Sequence, residues 1–129
     1  MTSVIENTLR NGVYIELALF MTLSPAVADT VAIKLKSGPN RYEPNDVTVK
    51  VGDTIVWTNE SGRHTVTPDD NQPDPFKGSD EFTPPNTYEV VIGGAPRTIK
   101  YHCEVHGPMM YGQIVVTAAA SPTPTPTPK

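Results

Sequence analysis

The chain has 129 residues, a net charge of −4 at pH 7 and a single cysteine. That length holds one domain with short appendages. The acidic balance excludes nucleic-acid binding through a basic surface, and a lone cysteine excludes an internal disulfide.

The first segment reads as an export signal. "VYIELALFMTL" (Val13–Leu23) is an apolar run of h-region length, preceded by Arg10 and interrupted by Glu16. It is shorter than the roughly 20 residues that span a bilayer. Ala26-Val27-Ala28 then supplies the small-x-small pattern of a cleavage site, so residues 1–28 are expected to be removed and the mature chain to begin at Asp29. The mature form is expected to be exported to the periplasm or an equivalent compartment, with no membrane span.

From about Thr30 to Thr117 the pattern has period two. "VAIKLK", "VTVKVGDTIVWTN", "HTVT", "TYEVVI", "RTIKYHC" and "GQIVVT" are rich in β-branched and aromatic residues, and "SGPN", "VGD", "NESG" and "IGGAP" punctuate them. Strands this short and this closely spaced predict an all-β, antiparallel Greek-key sandwich of about 7–8 strands. The domain is expected over residues 29–118. Between Pro68 and Pro85 the chain is polar, acidic and proline-rich, which predicts a long loop. Its acids Asp69, Asp70, Asp74, Asp80 and Glu81 are candidates for docking a basic partner or for simple solvation. The last segment, residues 119–129, ends in "SPTPTPTPK"; alternating proline predicts a disordered, extended tail.

Alternation assigns side chains to faces. In "TIKYHC", Ile99, Tyr101 and Cys103 share the apolar face, while Lys100 and His102 face outward. In "RHTV", His64 and Val66 share a face. Cys103 and His64 are therefore both expected to point inward from strand ends. If they meet with His106 at one pole, a thiolate and two imidazoles form the donor set of a blue-copper centre, with a thioether three or four residues on as a weak axial ligand. Such a set suits copper in both oxidation states. Each residue also has an ordinary reading: a buried small apolar Cys, a hydrogen-bonded core His, and Met109 and Met110 as hydrophobic fillers. The joint occurrence of an inward His and then Cys-x-x-His-x-x-x-Met favours metal. Structural zinc would want more cysteines, and a catalytic thiol would normally open a helix instead of ending a strand.

Two blocks carry a resemblance. "YEPNDVTVKVGDTIVWTNESGRHTVT" and "YHCEVHGPMMYGQIVV" resemble, in this order, the strand-to-first-ligand and ligand-loop segments of small cupredoxins of the plastocyanin and amicyanin type. The resemblance implies that His64, Cys103 and His106 are equatorial copper ligands. It also implies that Met110, through "M-x-G" with Gly112, is the axial one. Thr65 stands where plastocyanin has Asn after the first ligand, and Thr65 and Glu104 are expected to brace the ligand loop. The implied function is a mononuclear blue-copper electron carrier, one Cu(I)/Cu(II) per chain. It would shuttle single electrons between donor and acceptor redox proteins, as a monomer and not as an enzyme. A copper storage or delivery module is the alternative. The implied docking patch is apolar and surrounds His106 with Gly107, Pro108 and Met109.

Overall fold

The computed structural model describes residues 22–23 and 26–128. Most of the expected export signal therefore lies outside the described residues. Thr22–Leu23 (β1) and Pro124–Thr125 (β10) form a two-residue antiparallel ladder in a unit of their own. The second unit, Ala26–Ser121, carries the remaining strands. They are Thr30–Lys36 (β2), Arg41–Glu43 (β3), Asp46–Lys50 (β4), Thr54–Asn59 (β5), Thr67–Pro68 (β6), Thr87–Val91 (β7), Arg97–Cys103 (β8) and Gly107–Thr117 (β9).

These eight strands make two four-stranded sheets, ordered β3-β2-β5-β7 and β4-β9-β8-β6. The sandwich is the one the periodicity predicts, and no helix interrupts it among the described residues. Its sheets, however, are mixed and not purely antiparallel. β2 runs parallel to β5, with Ile33 opposite Trp57, and β4 runs parallel to β9, with Val49 opposite Val116. The cause lies at Val51-Gly52-Asp53. This turn is no hairpin; it carries the chain from one sheet to the other. Gly52 takes a φ of 102°, which side-chain-bearing residues rarely adopt, and its N–H donates to the Ile92 carbonyl at 2.7 Å. Asp53 closes the corner: its carboxylate accepts the N–H of Lys50 at 2.8 Å and that of Asp29 at 2.9 Å.

Alternate residues of each sheet fill the space between the two. Ile33, Leu35, Ile55 and Trp57 come from one sheet and Val49, Ile99, Tyr101, Ile114 and Val116 from the other; all are buried. Burying side chains of this size contributes about 1.5–3 kcal/mol each, before conformational entropy is subtracted. The short strand β3 has no counterpart among the predicted segments, because three residues are too few for a period to register. β9 begins at Gly107, several residues before "GQIVVT", so the two methionines lie on a strand and not in a loop.

Candidate metal centre

His64 follows the turn Glu60–Arg63, which hydrogen bonds hold in place. The buried Asn59 at the end of β5 donates its side-chain amide to the carbonyls of Gly62 at 3.0 Å and Phe82 at 2.8 Å. His64 and Phe82 exchange backbone hydrogen bonds of 3.2 and 3.0 Å, which moors the long loop beside it. Gly62 has a φ of 85°, and a Cβ there would sit 2.1 Å from Ser37 Oγ. A glycine is therefore required for His64 to turn inward.

The His64 ring is fully buried. Its Nε2 lies 2.7 Å from the Ser61 carbonyl oxygen, which can only accept, so Nε2 carries the proton and donates. Nδ1 is left with its lone pair, and it faces Cys103 Sγ at 3.9 Å. Burial pushes the imidazole pKa down; the Ser61 contact offsets this in part, and His106 lowers it further. The ring is held neutral, the state in which a metal accepts it.

Cys103 ends β8 with no exposed surface. After it, Cys103 pairs with Gly107 across an irregularity in the β8–β9 ladder, and this folds the intervening residues into a tight turn. The turn brings His106 Nδ1 to 3.5 Å from Cys103 Sγ. The His64 and His106 rings stand 5.0 Å apart, centre to centre. One nitrogen from each ring and the sulfur all lie within 4.8 Å of one another. Two donors on one first-row metal, each bonded at about 2.0–2.3 Å, stand about 3–4 Å apart. The two sulfur–nitrogen distances, 3.5 and 3.9 Å, fall in that range, as expected for one thiolate and two imidazoles around a single ion, and such a set suits copper.

The surrounding contacts hold the sulfur and the turn that follows it. The Thr65 N–H donates to Cys103 Sγ at 3.3 Å, and the Thr65 hydroxyl accepts the Glu104 N–H at 2.8 Å. Tyr42 on β3 donates its phenol to the Thr65 carbonyl at 2.6 Å. Thr65 thus does what the sequence led us to expect of it, whereas Glu104 takes part through its backbone. The roles of Tyr42, Asn59 and the Ser61 carbonyl have no signal in local periodicity, because each acts across more than one sequence segment or through the backbone.

Met110 points into the core with 1% of its surface exposed, while Met109 is 83% exposed. Beside the half-buried His106, Pro108 and Met109 are open to solvent. His102 stays outside the cluster. Its ring lies on the other face of β8, with Nδ1 bonded to Asp69 at 2.6 Å. Two more acids of the loop are also engaged: Asp74 pairs with Arg97 and Glu81 with Arg63.

Comparison with known proteins agrees with this geometry. The plastocyanin of rice (Oryza sativa subsp. indica), a chloroplastic protein, is 34% identical over 105 residues, covering 74% of this chain and 68% of that one. A pseudoazurin from Methylobacterium extorquens AM1 superposes with a TM-score of 0.59 at 25% identity, over 69% of this chain and 76% of that one. A copper-containing nitrite reductase from Thermus scotoductus SA-01 shares the fold at 23% identity and a TM-score of 0.59; the match covers 84% of this chain but 26% of that one. Residues 29–117 match the copper binding proteins of the plastocyanin/azurin family. That span takes in the whole sandwich and every donor at its pole, and the chain belongs to that family.

Proposed function

We propose that His64, Cys103 and His106 hold one copper ion as equatorial ligands, with Met110 as the weak axial donor. The protein is a mononuclear blue-copper electron carrier. Bound there, copper supplies a one-electron couple. The chain supplies rigidity. The observation that carries this reading is the convergence of the three donors, two of which, His64 and Cys103, are tied by hydrogen bonds that do not depend on the metal. Ser61 fixes the tautomer and tilt of His64, and the Thr65 N–H fixes the sulfur. A set held this way changes little between oxidation states. Burial of His64 and Cys103 keeps water off the sulfur, and the half-buried His106 brings the centre close to the surface.

The partners on this reading are electron-donor and electron-acceptor redox proteins that meet the rim formed by His106, Pro108 and Met109. Catalysis is not part of it. A reductase-type reaction needs further metal-binding histidines, and of the three in the chain only His102 remains, bound to Asp69. The apolar N-terminal run and Ala26-Val27-Ala28 support export before the electron-carrying state is reached.

A visible spectrum of the purified chain with added Cu(II) tests the proposal. An intense thiolate-to-copper band in the red is expected, and it should bleach and return through repeated reduction and oxidation. A colourless complex would refute the blue-copper assignment. Loss of copper on reduction would instead point to storage or delivery.

A further inference from the structure

The hydrogen-bonded frame of the domain starts at one residue. Asp29 accepts the Thr54 N–H on its carbonyl at 2.9 Å, and its own N–H donates to Asp53 Oδ1 at 2.9 Å. The preceding Ala26, Val27 and Ala28 are exposed, outside any strand, and without a hydrogen bond among the described residues. Val27 is 81% exposed. Peptidases bind their substrates extended, so an exposed segment with small residues one and three places before the scissile bond fits such a cleft. The acceptor on the other side is unusual. Asp53 is 4% exposed, its Oδ2 already takes the Lys50 N–H, and its Oδ1 points at the Asp29 nitrogen.

On the export reading, in which the Ala28–Asp29 bond is hydrolysed, we propose that Asp53 is the seat of the amino terminus so formed. Water adds across the amide; Ala28 leaves with a carboxylate, and the Asp29 nitrogen takes a proton to become an ammonium. The neutral N–H at Asp53 Oδ1 is then replaced by a charged donor at the same position. Charge-assisted hydrogen bonds are roughly twice as strong as neutral ones. Processing therefore tightens the corner that joins the two sheets. The inference rests on the export reading, but it adds a function for Asp53 that the reading does not require.

The other charges at this cluster are Lys50, whose Nζ sits 3.2 Å from Asp29 Oδ2, and the Asp29 carboxylate itself. They oppose each other, so Asp53 decides the sign. A free α-amine has a pKa of about 7.7–8.0. Seated against Asp53 it is raised. The added stability is thus full below that range and disappears as pH climbs through the folded value.

The full chain, expressed in an exporting bacterium and purified from the extracytoplasmic fraction, tests both parts. Mass spectrometry should find Asp29 as the first residue. Retention of residues 1–28, or cleavage elsewhere, overturns the proposal at its first step, and retention sinks the export reading as well. An NMR titration of the Asp29 α-amine then tests the seat. It should bind its proton about tenfold more tightly than a free amino terminus, a difference of about 1.4 kcal/mol. An ordinary α-amine pKa after correct cleavage refutes the seat and leaves the cleavage standing. Asp53→Asn should return the amine to the ordinary range. The titration of the unaltered chain decides the matter even if that variant does not fold.

Discussion

The backbone N–H of Thr65 points at the sulfur of Cys103 across 3.3 Å, while the Thr65 side chain holds the next residue of the ligand turn, Glu104, by its N–H. One residue thus braces the donor atom and the loop that follows it. Thr65→Val keeps the shape and the N–H but removes the hydroxyl, leaving the Glu104 N–H without its acceptor. Glu104 is exposed, so its amide can turn to water, and the lost hydrogen bond costs about 0.5–1.5 kcal/mol. We expect the urea midpoint to fall accordingly while the red band persists, and Thr65→Ser to recover most of the loss. Equal midpoints for Val and wild type would show that the hydroxyl contributes nothing.

Cys103→Ser should abolish the red band outright, because the band requires a copper–thiolate bond. Colour in that variant would exclude Cys103 as a ligand. His64→Gly leaves an open space at the end of a fixed hydrogen-bond acceptor, Ser61. Exogenous imidazole should enter it and restore a wild-type-like spectrum; an unaltered spectrum before imidazole is added would exclude His64.

Much of this site can be read from period two alone. Ile99, Tyr101 and Cys103 face the core and Lys100 and His102 face out, as alternation requires. His64 and Val66 are buried as expected, but Thr65 between them is buried too and the segment lies outside any strand, so alternation does not account for them. Alternation tells only which face a residue takes, however, and not which strand lies beside it. The parallel pairings β2–β5 and β4–β9 were therefore illegible: "VGD" marks a turn equally well whether the chain doubles back or crosses between sheets. Gly52, bonded to Ile92, and Asp53, binding both Lys50 and Asp29, make it a crossing. The start of β9 was missed for a related reason, since Gly107 and Pro108 read as turn residues whatever follows them.

Gly112 shows what the glycine of "M-x-G" is for. It lies opposite Tyr101 on the neighbouring strand, and a Cβ there would meet the phenol carbon Cζ at 2.3 Å. Tyr101 is fully buried and packed edge-on against Tyr42 and Trp57, so it has nowhere to retreat. Gly112→Ala should destabilise the fold by about 1–3 kcal/mol through overpacking. Thermal unfolding of the copper-free protein measures this directly. A melting temperature equal to wild type would mean that the ring can move.

Asp53 gives the fold an acid limb. The N–H of Lys50, and after it that of Asp29, hold the carboxyl below the usual carboxylate range. A depressed folded pKa contributes stability above the unfolded value of about 3.9, and that contribution is lost as pH falls through the folded one. Asp53→Asn should lower stability at pH 7 and flatten its dependence on pH below about 4. Parallel acid-unfolding curves for the two proteins would exclude this role.

The two adjacent methionines separate most sharply in a redox titration. They sit on opposite faces of β9, and burial divides them: Met110 is 1% exposed and Met109 83%. A soft thioether tunes a copper couple only from inside the dry shell, where no water competes as a donor. Met110→Leu removes the axial donor and leaves an apolar wall, which destabilises Cu(II) more than Cu(I). The reduction potential should rise while the red band survives. A tenfold change in the relative affinity for the two states is about 59 mV for a one-electron couple, and a shift of about that size is expected. Met110→Gln offers a harder oxygen donor and should lower the potential. Met109→Leu keeps an apolar rim beside His106 and should leave the potential where it is, changing at most the rate of electron transfer to a partner. A large shift for Met109→Leu with none for Met110→Leu would reverse the assignment, and would require β9 to turn over when copper binds.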